Sequence, residues 1–512
     1  MSESIKESPP NTEHEQHFGT DHLKTDLKGR SVRGGAVTLF AQVCKFVLQM
    51  GSTVILARLL TPQDYGLIGM VTAVTGFVSL FKDMGLSMAT IQKAEINHRQ
   101  ISTLFWVNVG FSIVTMLVTV AIAPGIAWFY SEPRLTLITL VSSIGFIFGG
   151  LSVQHYALLT RQMRFTTLAK IDITAMLVGI TTGIVLAKYG IGYWALVMMQ
   201  LVGGLTSTIG VWLACSWRPS LPKSNSGIRE MLTFGGNLTG FNILNYFARN
   251  FDNVLVGRYL GAGQLGLYSK AYQLLLMPIQ QINGPMTTVA IPALSRLQHE
   301  PEKYRAYYYK SIQFIVMLGM PLVTFLCVVA DSLIPALLGP QWTDAVVIFR
   351  VLSPAAFLGT FNVASGWVFI SLGNTGRQLR WEIFASTVML IGFIIGIEWG
   401  GVIGIAASFS ITSLLVRYPA YVYCFKSTPL KVSSLMNVLW KPAFASLAAG
   451  LILFAINQSL SLNVNVVIRL IISSFIYALL YIGCWMLLPN GRQTVLDMLQ
   501  TVRKLKQTQN NA

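Results

Sequence analysis

Charged side chains interrupt stretches of this sequence that are otherwise apolar: Lys45, Lys82, Asp83, Asp172, Arg249, Asp252 and Lys270. A charge at the centre of a hydrocarbon layer costs about 2.5–3.5 kcal/mol on insertion scales, so each such group needs a partner, water or a ligand. The bases Lys45, Lys82, Arg249 and Lys270 outnumber the acids Asp83 and Asp252 on the segments that carry them. A cavity with that balance favours an anion, and an arginine there offers bidentate contact to phosphate or carboxylate. The two acids could titrate or bind a cation, which would make them a coupling site. A plainer reading also holds for Arg249 and Asp252: one helical turn apart, they could form a structural ion pair. Lys82 and Asp83 are adjacent, do not face each other on a helix, and therefore have different partners.

The same residues lie on a repeated stretch. Residues 42–67 (QVCKFVLQMGSTVILARLLTPQDYGL) align without gaps to residues 242–267 (NILNYFARNFDNVLVGRYLGAGQLGL) at an offset of 200. Val54, Arg58, Leu60, Gly66 and Leu67 match Val254, Arg258, Leu260, Gly266 and Leu267. Ahead of them, Gln42, Lys45, Gln49 and Ser52 stand opposite Asn242, Asn245, Arg249 and Asp252. Spacings of three, four and three residues put each set on one helix face. Two long apolar helices thus carry matching polar stripes. Either the stripes hydrogen-bond to neighbouring helices, or both line one central cavity. On the next span Thr72, Thr75, Ser79 and Lys82 share a face by the same test.

The elements that must position these residues are membrane spans. The 512 residues are 53% hydrophobic and only 11% charged, with a mean hydropathy of +0.58. That composition belongs to a polytopic membrane protein. Apolar segments of about 20 residues, the length that crosses a bilayer, are expected at 36–60, 66–92, 102–123, 135–158, 168–188 and 192–214. After a polar linker they continue at 234–260, 266–295, 308–330, 346–372, 379–397 and 401–424, with two more at 437–456 and 464–488. The expected fold is an all-α polytopic membrane protein with about fourteen transmembrane helices: two parallel six-helix repeats around a central cavity, then two C-terminal helices. The domains follow: a disordered cytoplasmic tail (1–34), a first bundle (35–215), a cytoplasmic linker (216–233), a second bundle (234–425), two additional spans (426–490) and a basic amphipathic tail (491–512). An even number of spans separates the repeat copies, so both run in one direction through the membrane.

Lysine and arginine set the orientation. One set of loops holds most of them, including Lys93, Arg99, Arg161, Arg164, Arg218, Lys223, Arg296, Lys303, Arg377 and Lys426; the opposite set holds only Arg58, Arg134, Lys188 and Arg258. Both termini are therefore expected in the cytoplasm. The net charge of +17 calls for anionic lipid headgroups rather than nucleic acid as the partner. Five scattered cysteines and six histidines show no metal-ligand or disulfide spacing, so neither a metal nor another cofactor is expected.

ILARLLTPQDYGL (55–67), FKDMGLSMATIQK (81–93), STLFWVNVG (102–110) and NFDNVLVGRYLGAGQLGLYSKAYQLLLMP (250–278) resemble the bacterial polysaccharide exporters of the Wzx type. The likeness is to the colanic acid exporter branch of the MOP superfamily, which also holds lipid II flippases and MATE drug exporters. The resemblance implies a flippase, not an enzyme, in the bacterial inner membrane. It would turn undecaprenyl-diphosphate-linked oligosaccharide from the cytoplasmic to the periplasmic leaflet by alternating access, for exopolysaccharide, capsule or lipopolysaccharide synthesis. It implies possible coupling to a proton or sodium, through Asp83 or Asp252, and possible work beside a polysaccharide polymerase or chain-length complex. Placement by helix then puts Gln42, Lys45, Gln49, Lys82, Asn245, Arg249 and Lys270 around the substrate. Three alternatives compete. A MATE-like drug or cation antiporter should have a cavity dominated by carboxylates, whereas bases prevail here. A polysaccharide polymerase or ligase should carry large outer loops with Arg, His or carboxylate clusters, and this chain has short ones. A scaffold without transport leaves the paired polar stripes unexplained.

Overall fold

The computed structural model describes residues 27–79, 86–93, 96–222, 229–459, 465–489 and 491–493. Over residues 27–34, 229–245 and 247–249, and at a few other positions, it describes the backbone alone. The expected cytoplasmic tail before residue 27 and most of the amphipathic tail after residue 493 lie outside the described residues. Every regular element among the described residues is a helix. In a bilayer this is the economical solution, because a helix satisfies its backbone groups within one segment.

The first half of the chain forms α1 (Leu27–Leu59), α2 (Pro62–Ser79), α3 (Leu86–Gln92), α4 (His98–Tyr130), α5 (Arg134–Arg161), α6 (Phe165–Lys188) and α7 (Trp194–Ala214). Next comes α8 (Arg229–Arg296), then α9 (Pro301–Val328), α10 (Ala330–Leu338), α11 (Ala345–Gly359) and α12 (Val363–Ser371). The chain closes with α13 (Thr375–Phe425), α14 (Val432–Ser459) and α15 (Val466–Leu487). Ten helices among the described residues are long and apolar enough to cross a membrane, which makes this a multi-pass membrane protein. Two assigned helices are each two helices joined at glycine. α8 breaks at Gly261, where φ is 81° and ψ 177°. α13, 51 residues long, breaks at Gly400 and Gly401. Its arms fold back on each other: a Cβ on Gly404 would lie 1.9 Å from the Gly396 carbonyl oxygen, and one on Gly392 would lie 2.7 Å from Thr412. The expected spans 379–397 and 401–424 are therefore the two arms of one hairpin.

The chain divides into two compact units, residues 1–266 and 267–512. In the first, α4 and α5 form an antiparallel hairpin. Asn97 starts α4 with a capping box: its side chain accepts from the Gln100 N–H at 2.9 Å, and the Gln100 side chain accepts from the Asn97 N–H at 3.3 Å. Two of the donors orphaned at a helix start are thereby satisfied. α6 and α7 approach more closely than ordinary side chains allow. A Cβ on Gly179 would stand 2.7 Å from the Met199 carbonyl oxygen, and Gly183, one GxxxG step on, faces the Met199 side chain. Small residues at this spacing let membrane helices pack by dispersion where no hydrophobic force drives them together. α1 runs parallel to α6, with Leu56 and Leu60 packed against Ala187 near the shared end.

The repeated stretches also meet in this unit, and their contact is reciprocal. A Cβ on Gly66 would lie 1.7 Å from the Ala262 carbonyl oxygen, and one on Gly266 would lie 1.8 Å from the Pro62 carbonyl oxygen. Positions 62 and 66 are the repeat equivalents of 262 and 266, so exchanging the copies maps each contact onto the other. That is the signature of a local twofold relation between parallel repeats. It also explains why both copies hold glycine there: any side chain would strike backbone.

The second unit is organised around buried aromatics with satisfied hydroxyls. Tyr304 hydrogen-bonds Ser371 at 2.7 Å, Tyr308 donates to the Ala364 carbonyl at 3.2 Å, and Tyr421 donates to the Phe361 carbonyl at 2.8 Å. All three are at most 1% exposed, and their rings pack with Trp367 and Phe425. A ring that buries its body and still pairs its hydroxyl fixes both position and orientation. α14 and α15 add a second layer, with Ala449, Leu453 and Tyr477 packed on Val329 and Phe325.

Candidate functional site

α1 shows two exposed faces of opposite chemistry. Phe40, Val43 and Val47 are 70%, 56% and 61% exposed. Gln42 and Gln49 are also exposed, with Lys45 half-buried between them. At about 100° per residue the two sets lie nearly on opposite sides of the helix. Exposed apolar residues on a membrane helix suit lipid. Exposed amides do not, and face protein or water instead. The fourth member of the stripe, Ser52, is buried, and its hydroxyl donates to the Gln49 carbonyl at 2.9 Å. The open part of the stripe is thus residues 42–49, toward the middle and inner part of the span.

Lys45 has a partner. Its ammonium donates to the carboxylate of Asp172 on α6, and the two side chains are 38% and 21% exposed. The pairing follows from register. Lys45 and Asp172 sit about 21 and 24 Å below the common end of α1 and α6, counted at 1.5 Å per residue. Tyr156 on α5 donates to the same carboxylate oxygen at 3.4 Å. Asp172 thus ties three helices together beside the polar stripe. It holds a cation in place without enclosing it, so the ammonium can still meet an anion.

The second copy of the stripe lies on α8 before Gly261. The helix places Asn245 and Arg249 there, but their side chains lie outside the described ones, and so the expected Arg249–Asp252 pair does too. Asp252 is 5% exposed and accepts from the Asn253 N–H at 2.8 Å. This segment is anchored to α2 by Tyr246, whose hydroxyl donates to the Thr72 and Ala73 carbonyls, each at 2.9 Å. The expected polar face of α2 begins on this structure: Thr72, Thr75 and Ser79 donate back to their own helix, to Ile68, Val71 and Gly76. Lys82 and Asp83, which would extend it, lie outside the described residues. In the second unit, Lys270 is 7% exposed and donates to the Gln273 side chain at 3.0 Å. Also in that unit, Glu382 lies near Arg417, whose guanidinium donates to the Asn362 side chain.

Sequence reasoning noticed Asp172 but gave it no role, and it missed Tyr156 and Glu382. It also missed a buried polar seam between α4 and α5, where Asn108, Ser112, Gln154 and His155 are all fully buried. Gln154 accepts from Thr90 of α3 at 3.0 Å. The His155 ring stacks on Trp212 at 4.4 Å and meets Trp217 and Phe105 edge-on. Among the described residues no group of three or more His, Cys, Asp or Glu could hold a metal ion.

A family model described as "Polysaccharide biosynthesis protein" matches residues 55–347, more than half of the chain. The chain belongs to this family. The motifs at 55–67 and 250–278 fall inside the matched stretch, and the likeness to Wzx-type exporters read from them stands. The "Lipopolysaccharide biosynthesis protein WzxC" of Escherichia coli (strain K12) is 25% identical over 439 residues, 84% of this chain and 88% of its own. The "Teichuronic acid biosynthesis protein TuaB" of Bacillus subtilis (strain 168) is 26% identical over 455 residues, 88% of this chain and 94% of its own. Among solved structures, "Lipid II flippase MurJ, inward closed conformation" aligns with a TM-score of 0.70 at 13% identity, covering 88% of this chain and 98% of that one. At that identity the likeness is one of fold alone.

Proposed function

We propose that the protein is a flippase for polyprenyl-diphosphate-linked oligosaccharide, moving repeat units from the cytoplasmic to the periplasmic leaflet of the bacterial inner membrane. The observation that carries the reading is the face of α1 that exposes Gln42 and Gln49 beside the anchored Lys45, opposite a lipid-facing one. A sugar headgroup and a diphosphate cannot cross about 30 Å of hydrocarbon unaided. A polar surface within a span shelters the headgroup while the polyprenyl tail stays in lipid. Lys45, with Lys82, Arg249 and Lys270, supplies positive charge for the diphosphate; Gln42, Gln49 and Asn245 supply amides for the sugar. No bond is made or broken, so the protein needs two conformations and a site whose access alternates. The names of its relatives, biosynthesis proteins for lipopolysaccharide and teichuronic acid, support a polysaccharide precursor as cargo.

In this reading both termini are cytoplasmic, following the basic loops. Asp83 and Asp252 are the acids offered for coupling to a proton or sodium, and a polymerase or chain-length complex would consume the flipped unit. The test is made in a strain lacking the gene. Lipid-linked oligosaccharide is extracted and surface polysaccharide measured, with wild type or with a variant carrying Gln42→Leu and Gln49→Leu on a plasmid. The wild type should clear the lipid-linked units and restore polymer; the variant, present at normal level, should do neither. Normal polymer and normal lipid pools in the strain without any plasmid would overturn the proposal.

A further inference from the structure

Two adjoining cavities in the second unit have the form of a lipid. One, about 540 Å³, is apolar and is lined by Val323, Cys327, Phe357, Leu447 and Leu451. Leu447 and Leu451 are 51% and 71% exposed, so it opens sideways to the bilayer. The other, about 150 Å³, is polar and is lined by Asp331, Ser332, Asn457, Gln458 and Arg469. Val328 and Phe454 line both, so the two cavities share a wall. The Arg350–Asp331 ion pair stands at the junction, its arginine lining the apolar cavity and its aspartate the polar one.

We propose that this composite cavity is a binding site for one bilayer phospholipid with an anionic headgroup, its phosphate at Arg469 and one acyl chain between α9, α11 and α14. Charge favours the anion. Arg350 and Arg469 face a single acid, Asp331, which Arg350 already engages. The half-buried guanidinium of Arg469 has no side-chain partner among the described residues. Guanidinium offers bidentate contact to phosphate, and the Asn457 and Gln458 amides add donors. Size favours an ordinary acyl chain. About 540 Å³ lies within the range of roughly 300–1,000 Å³ that small-molecule sites span, and a polyprenyl chain several times longer would not be enclosed. Position agrees as well. Arg469 stands near the start of α15, and Asn457 and Gln458 near the end of α14. The proposed orientation puts this end at the outer face of the membrane, level with outer-leaflet headgroups. The site lies wholly within the second unit and does not depend on what the protein transports.

Native mass spectrometry of the full-length protein, released from mild detergent with added lipid, tests the proposal without any transport assay. Phosphatidylglycerol, phosphatidylcholine of the same chain length and a polyprenyl phosphate are the probes. The wild type should retain one phosphatidylglycerol in preference to phosphatidylcholine. Arg469→Gln should lower that retention about tenfold, the loss of one charge-assisted contact. Leu447→Trp, which fills the apolar cavity, should lower retention of both phospholipids. Equal retention of the two phospholipids, unchanged retention in both variants, or displacement of phosphatidylglycerol by equimolar polyprenyl phosphate would each overturn it.

Discussion

Asp172 and Glu382 stand at equivalent points of the two units, each seven residues beyond the first residue of its helix, Phe165 or Thr375. Their partners are not equivalent. Asp172 receives Lys45 from the opening helix of the chain, and Tyr156 as well. Glu382 lies near Arg417, on the returning arm of its own hairpin, and Arg417 also holds Asn362. The residue that matches Lys45 in the second copy is Asn245, an amide. The helical frame is therefore repeated while its charges are not. An acid stands two turns into its helix in both units, but its cation comes along a polar face in the first and from within the α13 hairpin in the second. The first arrangement leaves an ammonium half exposed and available. The second spends its cation on the scaffold.

Breaking the shared frame should have the largest effect, and an equal one in both copies. Gly66→Leu and Gly266→Leu each drive a side chain into a facing carbonyl. Overpacking commonly costs about 1–3 kcal/mol, and more where backbone must yield. Both variants should lose most of the folded protein, seen as a collapsed monodisperse peak in fluorescence-detected gel filtration. A tolerated leucine at only one of the positions would show that the contact is not reciprocal.

The charges should then separate the units. Asp172→Ala leaves Lys45 unpaired and should cut polysaccharide export about tenfold, equivalent to 1.4 kcal/mol. Glu382→Gln should cost less than about twofold, since Arg417 keeps its bond to Asn362. Equal losses of export in the two variants would erase the distinction drawn above. A double-mutant cycle with Lys45→Ala and Asp172→Ala, read by thermal stability, sharpens it further. The expected coupling is about 1 kcal/mol, between the values for exposed and enclosed pairs.

The smallest effect belongs to the turn between α4 and α5. There the Arg134 guanidinium donates to Glu132 at 2.8 Å and holds its carboxyl below the usual carboxylate range. With the folded-state value depressed, this pair stabilises above the unfolded-state value and the benefit fades as pH falls through the lower folded one. The Glu132 side chain is 21% exposed and its arginine 41% exposed, so water and salt screen the pair, and Glu132→Gln should change stability by no more than about 0.5 kcal/mol near neutrality. The change should shrink further in high salt, which a melting curve at two ionic strengths will show.

The spans were legible because apolar runs of bilayer length need no tertiary knowledge, and the repeat was legible because its spacing survives without gaps. The breaks at Gly261 and at Gly400–Gly401 fall close to where the expected spans ended, at 260 and 397. Lys45 and the exposed amides were readable as one stripe on helical periodicity alone. Its partner was not, since Asp172 lies 127 residues away and only the parallel packing of α1 on α6 brings them level. The polar seam at Asn108, Gln154 and His155 was invisible for a related reason. Asn108 stands alone among apolar neighbours and Gln154–His155 is one short polar step in α5, so each reads as ordinary and tolerated until two helices meet. Gly66 and Gly266 were visible as a match, but their cause is a facing carbonyl that no one-dimensional pattern contains.

That pair of glycines bears on ancestry. A contact that maps onto itself under exchange is the kind found between identical subunits. In a dimer of half-length chains, one glycine codon would have supplied both sides of it, and a single substitution would have struck twice. Fusion of the halves releases that constraint. Each copy can now vary alone, as the residues facing the two glycines already do: Pro62 on one side and Ala262 on the other.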